Sequence, residues 1–148
     1  MITLNNSDQI SAIISGNPLH QLIAVHNVDK IAPIQLPCPF FSISDSELCS
    51  HFEQSRFATV SKKDPLSHGA LCGDGYSIYL KDNKWIFSFS ERGFESTVFS
   101  RHNALHDAEL AFCRKLIYGA NLNVWSWNNQ RLRKLNLPTI PNTLVPTF

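Results

Sequence analysis

The sequence predicts an α+β fold, in which an antiparallel sheet of about three to five strands has helices packed on one face. Three observations predict it: a β-hairpin in residues 76–90, a short third strand at residues 97–99, and an amphipathic helix that follows this strand. The chain has 148 residues with 43% hydrophobic content, which is enough to bury a sizeable core. We therefore expect a single globular domain over residues 1–148.

The N-terminal part predicts two helices and an extended connector. Asn6-Ser7-Asp8 can cap a first helix, and Pro18 suits the first turn of a second helix. Residues 31–41 hold three prolines and cannot form a helix interior. We expect this connector to pack on the body through four apolar side chains, which are Ile34, Leu36, Phe40 and Phe41.

A third helix is predicted from the capping-box spacing of Ser44 and Glu47. Its inward-facing residues are expected to be Leu48, Phe52 and Cys49. Residues 57–60 then favour a short strand, and residues 61–73 favour a polar loop.

The hairpin is predicted from the register that an Asp82-Asn83 loop imposes. Asp and Asn tolerate the positive φ angles that tight hairpin turns require. With this loop Lys81 faces Lys84, and directly opposed residues share a sheet face. One face then carries Tyr76, Ile78, Leu80, Trp85, Phe87 and Phe89, with Ile86 as the one clear apolar exception on the other face. A slip by one residue would mix the two sets, so the pattern favours this register alone.

The segment after the hairpin predicts a turn, a strand and a helix. Gly93 suits a turn or bulge, and Thr97-Val98-Phe99 has strand propensity. The helix is expected to start near Ser100 to Asn103 and to end at Gly119. Its apolar residues fall on one broad face; they are Ala104, Leu105, Ala108, Leu110, Ala111, Phe112, Leu116 and Ile117. Beyond it, residues 121–127 alternate like a strand, residues 128–135 look helical, and the proline-containing tail predicts an extended strap.

Composition excludes several classes of protein. The formal net charge of +1 argues against a dedicated nucleic-acid binder. No apolar run reaches the length of a transmembrane helix, and the N-terminus lacks the pattern of a signal peptide, so we expect a cytoplasmic protein. The four cysteines (Cys38, Cys49, Cys72 and Cys113) form no CxxC pair. Free thiols are therefore expected, with Cys113 as a small buried side chain and no metal site.

No catalytic motif is evident. His102 and His106 are four residues apart and could share a helix face, but the Glu of an HExxH motif and a third ligand are missing. Glu91-Arg92 could hold an anion at a strand end, or could finish the strand structurally. We expect no enzyme, no catalytic residue and no cofactor. The alternative is a small enzyme or nucleotide-handling domain that uses Glu91, Arg92, His102 and His106.

An aromatic and basic cluster lies near the C-terminus. Arg131, Arg133 and Lys134 follow Trp125 and Trp127. Such a set fits a protein interface, where Trp and Arg are enriched, or a nucleic-acid adaptor that stacks bases. It also fits a core position for one tryptophan, with the other half-exposed.

The segment Lys84-Trp85-Ile86-Phe87-Ser88-Phe89-Ser90-Glu91-Arg92-Gly93, followed by Phe99, Ala104, Ala108 and a helix ending near Leu116, resembles a known pattern. It is similar to small bacterial immunity proteins of polymorphic toxin and contact-dependent growth inhibition systems. In several of these families an aromatic strand ends in Glu-Arg-Gly, and a short strand and an Ala-containing helix follow.

The resemblance implies a cytoplasmic α+β protein that neutralises a cognate toxin by binding its C-terminal domain as a heterodimer, without a cofactor or a membrane. Residues 84–116 of the 148 carry this resemblance. Immunity proteins against nucleases are often acidic, to match a basic toxin. This chain is near neutral, so either its toxin is not strongly basic or the acids gather on one face, with Asp45, Glu47 and Glu53 as partner-binding residues. Trp127 and Arg131 are the other predicted partner-binding residues.

Overall fold

The computed structural model describes residues 3–55, 66–67, 76–91, 94–145 and 147–148. The chain divides into two compact units. Unit 1 comprises Met1–Ile43 and Lys115–Phe148, and unit 2 comprises Ser44–Arg114. The expectation of a single domain over residues 1–148 stays a prediction.

Unit 2 contains a four-stranded antiparallel sheet in the order β1-β2-β3-β4. The strands are β1 (Leu66–Ser67), β2 (Tyr76–Lys81), β3 (Lys84–Glu91) and β4 (Phe94–His102). β1 lies within the segment that the sequence predicted as a polar loop, where it pairs with β2. The short strand predicted at residues 57–60 lies outside the described residues.

The hairpin register is as predicted. Lys81 pairs with Lys84, Tyr76 pairs with Phe89, and the four residue pairs between them follow the same register. Asp82 and Asn83 have φ values of 51° and 59°, which is the left-handed backbone that the tightest two-residue turns require. The turn residues and the aromatic face therefore specify the same register.

A helix packs on the aromatic face of the sheet, which confirms the α+β prediction. This helix starts at Leu105, and its residues up to Arg114 belong to unit 2; the preceding helix, α3 (Asp45–Ser55), packs against it. Phe112 places its ring 5.7 Å from that of Phe87 and 5.8 Å from that of Phe52. Leu48, Cys49 and Phe52 are buried, as predicted for the third helix. One aromatic cluster thus joins the sheet to both helices.

The strand before the second of these helices is longer than predicted. Arg101 and His102 still pair with Ile86 and Trp85, so the helix begins at Leu105 and not near residues 100–103. β4 also contains two irregularities, opposite Phe87/Ser88 and Phe89/Ser90. The extra residues of these bulges let β4 follow β3 over its full length.

In unit 1 the chain begins with α1 (Asn6–Ile14) and α2 (Pro18–His26). Pro18 opens α2, as predicted. The cap of α1 is Asn5, not the predicted Asn6-Ser7-Asp8, because the Asn5 side chain accepts a hydrogen bond from the Asp8 backbone N–H at 2.8 Å. Short 3₁₀ turns follow at Val28–Lys30 and Pro33–Gln35.

The helix that begins at Leu105, named α4 (Leu105–Lys134), does not end at Gly119. The predicted end there and the strand predicted at residues 121–127 are both wrong. Buried residues recur along this part at helical spacing, at Ala120, Val124, Asn128 and Leu132. Because asparagines occupy inward positions, the apolar pattern of the helix is interrupted and resembles strand alternation.

The extended segments of unit 1 are held by buried side-chain amides. Asn121 Oδ1 accepts hydrogen bonds from the backbone N–H groups of Phe40 and Phe41, both at 2.8 Å, and its Nδ2 donates to the Phe41 carbonyl. Gln9 Oε1 accepts from the N–H groups of Ser42 and Ile43 at 2.8 and 2.9 Å. Residues 40–43 are therefore fixed by two amides from different helices.

Two further asparagines of α4 hold the rest of these segments. Asn128 donates to the Pro33 carbonyl, and Asn129 makes a paired contact with the N–H and carbonyl of Ile140. This contact holds the tail on α4, and the tail includes a 3₁₀ turn at Asn142–Leu144 that the predicted extended strap lacks. Of the connector residues, Leu36, Phe40 and Phe41 are buried, but Ile34 is 75% exposed. The packing predicted for Ile34 is wrong, because the 3₁₀ turn is held through the backbone and its side chain points to solvent.

Candidate functional site

The face of the sheet opposite the aromatic cluster carries a group of positive charges. Strand pairing places Tyr79, Ile86 and Arg101 in one row across β2, β3 and β4. The next row toward the hairpin turn contains Lys81 and Lys84. Val98 lies on the same face, beyond the first row. We name this surface the cationic face; it consists of Tyr79, Lys81, Lys84, Ile86, Val98 and Arg101.

The cationic face is concave. Its six residues, together with Asp82 of the turn, line a pocket with a volume of about 260 Å³. Lys81, Lys84 and Arg101 are exposed at the rim, whereas Ile86 is only 6% exposed. Tyr79 and Val98 are half-buried. The pocket thus has an apolar floor and a cationic rim.

The charges of this pocket are poorly compensated. Among the described residues that line it, three are cations and one, Asp82, is an acid. Lys84 donates a hydrogen bond to Asn103 Oδ1, which is a neutral acceptor. Among the residues that the structure describes, no carboxylate lies at ion-pair distance from Lys81 or Arg101. Because like charges that face each other across strands repel, the surface favours an anionic ligand that would neutralise them.

The row beyond Ile86 contains a buried polar group. Ser88 is fully buried between its strand partners Ser77 and Val98. Its hydroxyl oxygen has no hydrogen-bond partner within the described ranges of the chain. A buried hydroxyl without a hydrogen-bond partner is unfavourable. The Ser88 side chain therefore adds no hydrogen bond that stabilises the described sheet.

Two of the acids predicted as an interface, Asp45 and Glu47, have partners within unit 2. Asp45 forms an ion pair with Arg114, with 2.8 Å between the carboxylate and guanidinium atoms. The Glu47 carboxylate accepts hydrogen bonds from the N–H and hydroxyl of Ser44, and Ser44 Oγ accepts from the Glu47 N–H, which is the predicted capping box. The side chain of Glu53 lies outside the described part of the chain. The acidic interface stays a prediction.

Trp127 and Arg131 form a contact inside unit 1. The guanidinium carbon of Arg131 lies 4.5 Å from the centre of a Trp127 ring. The same guanidinium donates to the carbonyls of Asp29, at 3.1 Å, and Ile31. Burial lowers the pKa of Arg131, and Asp29 opposes this effect. Arg131 therefore anchors residues 29–31 on α4, and its use by a partner stays a prediction.

The nucleic-acid alternative relied on Trp125 as well. Its indole N–H donates to the Ile140 carbonyl at 2.8 Å, so this side chain supports the C-terminal strap.

Of the four residues of the enzyme alternative, the structure describes the side chains of His102 and His106. His102 ends β4, and its Nε2 lies 2.8 Å from Ser100 Oγ. His106 is exposed in the first turn of α4. The shared helix face predicted for the two histidines is wrong, because α4 begins only after His102. The Glu91 side chain and Arg92 lie outside the described residues, and this alternative stays a prediction.

Three of the four cysteines lie among the described residues. Cys38, Cys49 and Cys113 form no disulfide, and Cys72 lies outside this part of the chain. Burial raises the pKa of the Cys113 thiol, and a hydrogen bond with Cys49 acts in the same direction. Cys113 is fully buried, as predicted. The described residues include no group of three or more potential metal ligands, and no helix among them is long and apolar enough to cross a membrane.

The sequence predictions missed the cationic face, although one of its signals was present. The hairpin register already placed Lys81 opposite Lys84, which is an unfavourable pair unless something neutralises it. Arg101 was hidden because it was assigned to the start of the helix. Comparisons with protein-family models, with curated proteins and with solved structures find no match for this chain.

Proposed function

We propose that this protein is an immunity protein that binds and neutralises a cognate bacterial toxin domain in the cytoplasm by stoichiometric inhibition. The observation that carries the proposal is the segment of residues 84–116. Its sequence resembles such proteins, and it forms an aromatic strand, a second strand and a helix in the order that the resemblance implies.

The exposed surface of the same segment supports a binding role. The cationic face belongs to the two strands of this segment and to β2, and it carries a Tyr, an Arg and two Lys around an apolar floor. Tyr and Arg are enriched at protein interfaces, where an apolar centre with a polar rim is the usual arrangement. Because these side chains stand on paired strands, the backbone of the surface is already ordered before binding and adds little to the entropy cost.

The test is a co-expression experiment with the C-terminal domain encoded by the gene immediately upstream. Production of that domain alone should stop growth of the host, and production of this chain with it should restore growth. The purified pair should elute as a 1:1 complex in size-exclusion chromatography with light scattering. A toxin domain from an unrelated system is the specificity control, and this chain should not protect against it.

A titration separates inhibition by binding from enzymatic protection. If the chain acts stoichiometrically, residual toxin activity should fall linearly and reach zero at equimolar chain. Protection at a small fraction of one equivalent would reject stoichiometric inhibition. Failure of the chain either to bind the upstream domain or to protect against it would reject the proposed function itself.

A further inference from the structure

We infer that the cationic face is the toxin-binding surface, and that it receives an acidic segment of the toxin in which a carboxylate side chain lies beside an apolar residue. This inference rests on the proposed function and adds to it the place and the chemistry of the interface. It also differs from the acidic interface expected at Asp45, Glu47 and Glu53.

The first argument is the charge balance. The whole chain has 13 basic and 12 acidic side chains, so its formal charge is close to zero. The cationic face, with Asp82 at its edge, has three basic side chains and one acidic one. The positive charge is therefore a local property of this surface, and the complementary partner surface is negative.

The second argument is the cost of keeping these charges together. Lys81 and Lys84 face each other across the hairpin, and Arg101 lies in the adjacent row on the same face. In the described parts of the chain, neither Lys81 nor Arg101 has a carboxylate partner. An acidic side chain placed between Lys81 and Arg101 would relieve this repulsion, whereas a neutral partner would not.

The third argument is the size and floor of the pocket. Its volume of about 260 Å³ is below the roughly 300–1,000 Å³ of sites that enclose a cofactor or drug-sized ligand. A single acidic side chain with a neighbouring apolar group fits this space. Ile86 and Val98 give the apolar group a dry contact, and the rim cations meet the carboxylate. A run of nucleic-acid phosphates would use the cations but not this floor.

The experiment measures the affinity of the upstream toxin domain for charge-reversal variants of this chain by isothermal titration calorimetry at several salt concentrations. Lys81→Glu and Arg101→Glu should each weaken binding at least about tenfold, since each places a like charge against the acidic segment. Both variants should also lose most of the wild-type salt dependence, because one reversal changes the three basic and one acidic side chains of this surface to two of each. The neutral variants Lys81→Gln and Arg101→Gln should weaken binding less.

Lys30→Glu is the matched control, because Lys30 is an exposed lysine of unit 1 and the change in net charge is the same. It should bind within about twofold of the wild type, as expected for a charge that lies outside the interface. Circular dichroism of each variant checks that the fold persists. The reversed residues are exposed, and the glutamine variants remove the positive charge without adding a negative one if a reversal perturbs folding.

The outcomes separate the two proposals. If the wild type binds the toxin domain and all four variants of the cationic face bind equally well, this inference is wrong and the immunity function stands. If wild-type chain does not bind the toxin domain, the immunity function fails and this inference fails with it. Binding of poly-U RNA that is lost in the same reversals, without toxin binding, would assign the surface to nucleic acid instead.

Discussion

Replacement of Asn121 by alanine tests the conclusion that buried amides hold unit 1 together. The substitution removes the acceptor for two buried backbone N–H groups, those of Phe40 and Phe41, and the donor to the Phe41 carbonyl. A buried donor left without a partner costs about 1–3 kcal/mol, so the two N–H groups alone give about 2–6 kcal/mol. Alanine's better helix propensity offsets only about 0.5 kcal/mol of this.

The expected loss is therefore about 3.5 kcal/mol, a large part of the roughly 5–15 kcal/mol that stabilises a typical domain. At about 2–4 °C per kcal/mol, the melting temperature should fall by roughly 7–14 °C. Thermal and urea unfolding followed by circular dichroism measure both quantities. Asn123→Ala is the matched control, because Asn123 is an exposed asparagine of the same helix.

The control should change the unfolding free energy by no more than about 0.5 kcal/mol. If Asn121→Ala costs no more than Asn123→Ala, the amide does not hold residues 40 and 41, and the explanation for the extended connector is wrong. A loss accompanied by a change in the urea m-value would instead indicate that the variant's unfolding exposes a different amount of surface.

Two further predictions concern α4. Gly119→Ala should raise the unfolding free energy by about 0.5–1 kcal/mol, because Gly119 lies inside the helix and an added Cβ meets nothing within 4 Å among the described residues; a lower melting temperature would contradict this. In the folded chain Cys113 should resist iodoacetamide at pH 8, since it is buried and its pKa is raised. An unfolded cysteine has a pKa of about 8.5, and folding raises the pKa of Cys113. The contribution of this thiol to the free energy of unfolding is therefore complete below a pH of about 8.5 and decreases above it. Mass spectrometry of labelled peptides measures the rate at which Cys113 reacts, and urea-unfolded chain is the reference. Labelling of the folded chain as fast as the unfolded chain would contradict this prediction.

The hairpin was predictable in full because two independent local signals agree. Asp82-Asn83 supplies the backbone of the turn, and the alternation from Tyr76 to Phe89 supplies the face. Neither signal depends on the rest of the chain. The capping box of Ser44 and Glu47 was predictable for the same reason, since its contacts span only three residues.

The length of α4 was not predictable in the same way. A glycine followed by residues 121–127, which alternate apolar and polar, locally favours a helix end and a strand. The contacts that make this segment helical in the folded chain are made by Asn121 and Asn128 with residues about 80 to 95 positions earlier. Such tertiary hydrogen bonds override local propensity, and no local pattern encodes them.

The cationic face lies between these two cases. Lys81 and Lys84 followed from the hairpin register, but Arg101 joins them only because β4 extends to His102. The site thus required the pairing of β3 with β4, which contains two irregularities. Bulges shift the face on which later residues lie, so alternation counted from Thr97 does not place Arg101 correctly.

The buried amides also determine how freely this chain can change in evolution. Gln9 and Asn121 contact the backbone N–H groups of residues 40–43, and Asn129 contacts those of Ile140. Every amino acid except proline presents the same N–H group. Most substitutions at residues 40–43 and at Ile140 leave these N–H groups in place, so they do not change the hydrogen bonds to the amides. Apolar packing alone then selects which side chains are accepted there. The sequence of these segments can therefore drift far while the path of the chain stays the same, provided that the three amides remain.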